Sequence, residues 1–251
     1  MKSFRMMAAI LALTGMCLAT GAQAATAPVK TVTFATDAVW PPMEMVDANK
    51  NIVGFDIDFM NAVGKEAGFK AVFKNTAWDG IFAGVEAGQY DAIVSSVTIT
   101  EERKAKYDFS APYAKIGQVL VVPKAEKAKS LADMKGKKVG AQIGTTGAME
   151  VKNVKDVELK TYDDVGLAFE DLAAGRIAGV VCDEPPAVVY AMQKKEYSSK
   201  FKIAGKPFTK EDYGVVVKKG NKELLAMINK GIAAVKKKKI DEQLKKKWLK
   251  N

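Results

Sequence analysis

The chain has 251 residues, with 39 lysines and arginines against 29 acids, two cysteines and no histidine. Without histidine there is no imidazole base, no Ser-His pair and no histidine metal ligand, so the usual hydrolase and metal-site constellations are excluded. The formal charge of +10 raises nucleic acid as a partner. However, the lysine runs at 236–239 and 245–247 carry no interleaved aromatic or arginine residue and read as solvated faces of terminal helices.

Residues 1–24 read as an export leader. Lys2 and Arg5 give a positive start, an apolar run follows through Leu13 and Leu18, and Ala22-Gln23-Ala24 supplies the small residues after which a signal peptidase cuts. The run is too short to span a bilayer stably. Met16 is larger than the small residue that lipoprotein sites carry, which argues against acylation of Cys17. The exported chain keeps about 227 residues, enough for one large domain or two small ones. It also keeps only Cys182, so an internal disulfide is excluded.

Strand-like runs then alternate with helical patterns, the grammar of α/β units with largely parallel sheets. Residues 32–35 open the first sheet. Asp56 is expected to cap a helix with Ile57, Met60 and Ala67 on its inner face and Gly68 beyond its end. A strand at 71–74, a helix at 79–87 with Ile81, Phe82 and Val85 inward, and a strand at 91–96 complete a first set. A second set has strands at 139–142 and 157–160. Between Asp163 and Gly175 a helix repeats Val165, Ala168, Phe169 and Leu172 at helical spacing.

Residues 87–96 can be laid over 174–183 without a gap, which predicts two similar lobes with Ser96 and Asp183 at equivalent strand ends. Open α/β sheets bind ligands at such ends. Extended segments at 117–122 and 212–217 read as antiparallel strands crossing between the lobes, a natural hinge. The first lobe is then discontinuous, 29–118 with 213–251, and the second spans 119–212.

Arg103 is the most informative residue. Thr98 or Thr100 can cap the helix it begins, and Glu101 and Glu102 suit the positive end of the helix dipole. A guanidinium does not suit that end, so Arg103 either pairs with one of those acids or reaches a ligand carboxylate with its planar fork. The turn around Gln142, Gly144 and Thr146 is either a tight connection or a helix start whose free N–H groups face an anion. It contains no dinucleotide or Walker pattern. Asp183 either caps the helix ahead of Pro185 or faces a cleft to pair with an ammonium. Asp37 and Trp40 follow the first strand, Trp78 follows the second, and rings at such positions either cover a local core or stack on a ligand. One guanidinium, one free helix start and one acid together make separate places for a carboxylate and an ammonium.

Several motifs resemble, in order, those of the periplasmic polar amino-acid-binding proteins, the group that holds the glutamine-, histidine- and lysine/arginine/ornithine-binding proteins. They are Gly54-Phe55-Asp56-Ile57-Asp58, Trp78-Asp79-Gly80-Ile81, Tyr90-Asp91-Ala92-Ile93, Thr98-Ile99-Thr100-Glu101-Glu102-Arg103, Asp108-Phe109-Ser110, Pro112-Tyr113 and Gly144-Thr145-Thr146-Gly147. The resemblance covers nearly the whole exported chain. It implies a type II fold of two α/β lobes, a free polar amino acid as ligand, no cofactor, no metal, a monomer, and an inner-membrane ABC permease as partner. It further implies that Arg103 and the Thr146 backbone hold the ligand carboxylate, while the Ser96 carbonyl, the Thr98 hydroxyl and Asp183 hold its ammonium. Trp40 and Trp78 would sandwich the side chain. Asp37, beside Gln142, would read its far end and tilts the expectation toward lysine, arginine or ornithine over glutamine or histidine. Two departures stand out: no disulfide can form, and lysines 236–239 replace a turn that usually bears glycine. Rival readings are a cyclohexadienyl dehydratase-like enzyme on the same fold and a ligand sensor serving a chemoreceptor.

Overall fold

The computed structural model describes residues 29–249. The expected leader at 1–24 and Cys17 lie outside the described residues. The chain opens with β1 (Lys30–Thr36), then a small three-stranded sheet of β2 (Val39–Trp40), β3 (Glu44–Val46) and β4 (Ile52–Val53). Next come α1 (Phe55–Ala67), β5 (Phe69–Asn75), α2 (Trp78–Glu86), β6 (Ala92–Ile93), α3 (Glu101–Lys106) and β7 (Tyr107–Phe109). Strand β8 (Ala114–Ile116) leads out of this lobe into β9 (Gln118–Pro123), β10 (Lys138–Gln142), α4 (Thr146–Asn153) and β11 (Glu158–Tyr162). The second lobe continues with α5 (Val165–Ala173), β12 (Gly179–Asp183), α6 (Glu184–Val188), α7 (Lys195–Ser198) and β13 (Phe201–Ala204). Strand β14 (Glu211–Tyr213) returns to β15 (Val216–Lys218), and α8 (Lys222–Lys237) and α9 (Ile240–Trp248) follow.

Two five-stranded sheets share one design, with orders β5-β1-β6-β15-β7 and β11-β10-β12-β9-β13. In each, three parallel strands meet an antiparallel fourth that has just crossed from the other lobe: β15 against β6, and β9 against β12. The crossings themselves pair antiparallel as β8 with β14. Strands β6 and β12 hold the same place in their sheets, so Ser96 and Asp183 do leave equivalent strand ends. The chain is an α/β protein of two lobes joined by two crossing strands.

Burial follows the periodicity. Val165, Ala168, Phe169 and Leu172 are all buried, and Phe169 stacks on Tyr190 with ring centroids 4.3 Å apart. In the first lobe Phe59 stacks on Tyr113 at 5.1 Å. Helix α8 lies close on α1 because residue 231 is glycine: a Cβ there would stand 2.5 Å from the Val63 carbonyl oxygen.

The sequence expectation fails at two local points, and a third departure from the family pattern is accommodated. Asp56 does not cap α1: Gly54 does, at φ 142, where a Cβ would lie 2.2 Å from the Met43 carbonyl oxygen, and Asp56 turns inward from the first turn. The third strand is regular only over Ala92–Ile93, since Ser96 adopts a left-handed φ of 49. The lysine turn keeps its bend without glycine, with Lys239 at φ 57. Its neighbours are tied down, Lys238 to Glu66 at 2.7 Å and Lys247 to Asp58 at 2.7 Å, so part of the lysine face fastens α8 and α9 to the first lobe.

Candidate functional site: the cleft between the lobes

Most residues singled out from the sequence stand at or beyond the carboxyl ends of strands of the two five-stranded sheets, in the strand-to-helix loops and the helix starts that follow them; Trp40 lies in the small sheet. Asp37 follows β1, Trp40 lies in β2, Trp78 begins α2, and Ser96, Thr98 and Arg103 follow β6. Across from them, Gln142 ends β10, Thr146 begins α4 and Asp183 ends β12. All nine line one space between the lobes. Free room among them is about 20 Å³, roughly that of one water, because the polar groups of the two lobes bond to each other across it.

Those bonds are specific. Gln142 Nε2 donates to Asp37 Oδ2 at 2.9 Å, and Trp40 Nε1 donates to Asp183 Oδ2 at 3.2 Å. Arg103, only 8% exposed, spans the gap by donating from Nη1 to the Thr98 carbonyl at 2.8 Å and from Nη2 to the Gly144 carbonyl at 3.1 Å. Its carbon Cζ lies 5.4 Å from the ring centroids of both Trp78 and Phe82. The local alternative, a pair with Glu101 or Glu102, is not what forms: Glu101 takes Lys104 at 2.8 Å. Thr100 is the residue that caps α3, accepting from the Arg103 N–H at 3.2 Å. Likewise Asp183 makes no side-chain cap on α6; its carboxylate accepts from Trp40, Gln118 and Tyr213.

Burial sets the charges. It pushes the Asp183 carboxyl up to about 7, with the nearby Glu211 charge adding to the rise and the Tyr213, Gln118 and Trp40 donors opposing it. Asp37 is pushed up to about 6 by burial, against the donation from Gln142. Arg103 is held below its ordinary range by desolvation, and the charges of Asp183 and Glu211 pull it back up. Among the described residues no side-chain carboxylate lies within ion-pair distance of Arg103; its direct hydrogen bonds go to two carbonyl groups, with the Trp78 and Phe82 rings beside it.

Sequence reasoning missed a second acid in this space. Glu44, 1% exposed, lines the cleft and accepts from Ser95 Oγ at 3.2 Å and from Ser96 Oγ at 3.3 Å. Behind it Asp56 accepts from the Ser96 N–H at 2.7 Å and from the Tyr113 hydroxyl at 2.7 Å. Burial raises Glu44 well above its ordinary value and Asp56 to about 6. These acids secure Ser96 in a left-handed conformation that costs a non-glycine residue about 1–3 kcal/mol. The signal was present in the sequence as an acid inside the apolar stretch Trp40-Pro41-Pro42-Met43-Glu44-Met45-Val46, which the β2–β3 pairing of Trp40 with Glu44 folds back on itself. Two residues of the crossing strands, Gln118 and Tyr213, were missed as well because only the crossing brings them to Asp183.

This arrangement of two lobes, crossing strands and a polar cleft has counterparts. Residues 32–251 match the bacterial extracellular solute-binding proteins, family 3. The chain belongs to that family.

Among its members, the L-cystine-binding protein TcyJ of Escherichia coli (strain K12) is 33% identical over 221 residues, covering 87% of this chain and 82% of the relative. A solved ancestral arginine-binding protein bound to arginine is 41% identical with a TM-score of 0.83, over 88% of this chain and 98% of that one. The ancestral amino acid-binding protein AncCDT-1, a precursor of cyclohexadienyl dehydratase, is 36% identical with a TM-score of 0.81, over 88% and 96%. The likeness extends through both lobes, so the two-lobed type II arrangement is a family property that this chain shares. Among the described residues no helix is long and apolar enough to cross a membrane.

Proposed function

We propose that this protein is the periplasmic binding component of an ABC transporter, holding a free polar L-amino acid between its lobes and passing it to an inner-membrane permease. The observation that carries this reading is the buried Arg103 guanidinium with no carboxylate partner, set beside the start of α4 and across from Asp183. A zwitterion offers the missing carboxylate to Arg103 and the Thr146 backbone. Its ammonium meets Asp183, the Thr98 hydroxyl and the Ser96 carbonyl. Burial of each ligand charge then has a partner, without which closure would be unfavourable. The bonds Gln142–Asp37 and Trp40–Asp183 would be exchanged for ligand contacts and not merely supplemented.

At the far end, Asp37 with Trp40 and Trp78 favours lysine, arginine or ornithine, a cationic chain between aromatic faces. Calorimetry of the exported protein against free amino acids is expected to give the largest affinity for one of these. Asp37→Asn should weaken that binding by about ten-fold or more while leaving glutamine binding within a few-fold. A strong preference for an uncharged aliphatic amino acid would reject the role given to Asp37.

A dehydratase reading has one observation in its favour: a cleft carboxyl near 7, Asp183, suits proton donation at neutral pH. The Trp40, Gln118 and Tyr213 donors converging on that group, however, favour its ionised form as an ammonium acceptor. Incubation with prephenate or arogenate is therefore expected to yield no aromatic product, and steady turnover would overturn the binding assignment.

A further inference from the structure

Thr98 and Thr146 belong to two spaces at once. On one side is the inner cleft; on the other is an outer groove of about 860 Å³ that also runs between the lobes. The wall between them is closed by a residue of the hinge. Glu211, in β14, accepts on Oε2 from the Thr98 hydroxyl at 2.8 Å and from the Thr146 hydroxyl at 2.7 Å. Its Oε1 accepts from Thr209 at 2.7 Å, and the Thr209 oxygen in turn accepts from the Gln118 N–H at 2.8 Å. One carboxylate thus ties a first-lobe hydroxyl, a second-lobe hydroxyl and both crossing segments.

We propose that Glu211 is the seal of the inner cleft and the residue that directs its two threonine hydroxyls, making it a determinant of ligand retention and of selectivity against amino acids extended beyond their α-carbon end. A threonine hydroxyl carries one proton. Once Thr98 donates that proton to Glu211, only lone pairs remain toward the cleft, which suits an N–H donor such as an ammonium. Thr146 is fixed the same way, donating to Glu211 and accepting from Gln118 Nε2 at 3.0 Å. Opening the hinge separates the two threonines, so at least one of these charge-assisted bonds, stronger than neutral ones, must break before a ligand leaves. Because the carboxylate stands in the passage to the outer groove, a dipeptide cannot extend through it. The inference rests on the binding reading above for the nature of the ligand, but not for the seal itself.

The test compares wild type, Glu211→Ala and Glu211→Gln. Stopped-flow tryptophan fluorescence, in which Trp40 and Trp78 report on the cleft and Trp248 is a constant background, is read with the L-amino acid that gives the largest calorimetric heat. Glu211→Ala is expected to raise the dissociation rate by about ten-fold or more with the association rate within about three-fold, since retention contacts act mainly on escape. Glu211→Gln, which keeps an acceptor and loses the charge, should fall between. A dipeptide of the same amino acid, rejected by wild type, should bind the alanine variant. Small-angle scattering without ligand should show Glu211→Ala more expanded than wild type. Dissociation rates and scattering unchanged in both variants would overturn the seal. Should Glu211→Ala melt too low to use, the glutamine variant decides by the same two readouts. Failure of the wild type to bind any amino acid defeats the binding reading, whereas wild-type binding with indistinguishable variants defeats only the role of Glu211.

Discussion

Arg103→Ala is expected to weaken amino-acid binding by more than ten-fold, and Arg103→Lys to recover little of it. The guanidinium is buried, sits beside the rings of Trp78 and Phe82, and is held by the Thr98 and Gly144 carbonyls. Arg103 also lines the cleft, and those two bonds leave further N–H groups of its fork for a ligand. A carboxylate docking there meets a planar donor that need not reorganise. Lysine supplies the charge but lacks the fork, so it cannot hold both carbonyls and a carboxylate together. Ten-fold corresponds to about 1.4 kcal/mol, a modest fraction of what removing one partner of a buried charge pair costs. The same substitution also deletes the Gly144 bond that links the lobes. Calorimetry separates the two effects when both the amino acid and its methyl ester are titrated. Wild type should discriminate strongly between them and Arg103→Ala only weakly. Unchanged affinity for the free amino acid in Arg103→Ala would remove this residue from the site.

The difference between what was legible in the sequence and what was not has a physical cause. Helix α5 could be read from its apolar spacing because burial on one face leaves a periodic trace, and the nine cleft residues could be read because they cluster at strand ends in recurrent motifs. Arg103 was legible as a misfit, a cation in the first turn of a helix, although spacing alone left a pair with Glu101 or Glu102 equally open. Only the second lobe, through Gly144, resolves that choice. Asp56 shows the reverse failure. Its position before a helical run fits a cap, but the close approach of the Met43 carbonyl demands glycine at the cap position and turns the acid toward Ser96. Glu44, Gln118, Tyr213 and Glu211 were missed because their meaning depends on contacts over long sequence separations. Glu211 and Thr98, for example, are 113 residues apart, and no local pattern records that.

Binding affinity is expected to rise with pH up to about 7 and then level off, and Asp183→Asn should both lower the affinity by more than ten-fold and remove the part of this dependence centred near 7. Asp183 is buried, and burial pushes its carboxyl up to about 7 against the pull of the Tyr213, Gln118 and Trp40 donors. An ammonium placed against it favours the ionised form, so its value in the complex lies lower than in the free protein. Below about 7 the free protein must therefore release a proton to bind, and affinity falls by up to ten-fold per pH unit. Below about 6 a cationic side chain at Asp37, itself raised to about 6, adds a second proton and steepens the fall. Stability runs the other way: the folded state holds the Asp183 proton more tightly than the unfolded chain, so this stabilising contribution is complete below about 4 and lost as pH rises through about 7. Weaker binding at pH 5.5 thus cannot be ascribed to the effect of Asp183 on folding. Calorimetry from pH 5.5 to 8.5, repeated in buffers of different ionisation enthalpy, reads the released proton directly. At pH 7 the release comes mainly from Asp183 and is expected to disappear in Asp183→Asn, whereas the further release near pH 6 with a cationic ligand, from Asp37, should remain; a pH-independent affinity in the wild type would exclude an ammonium at Asp183.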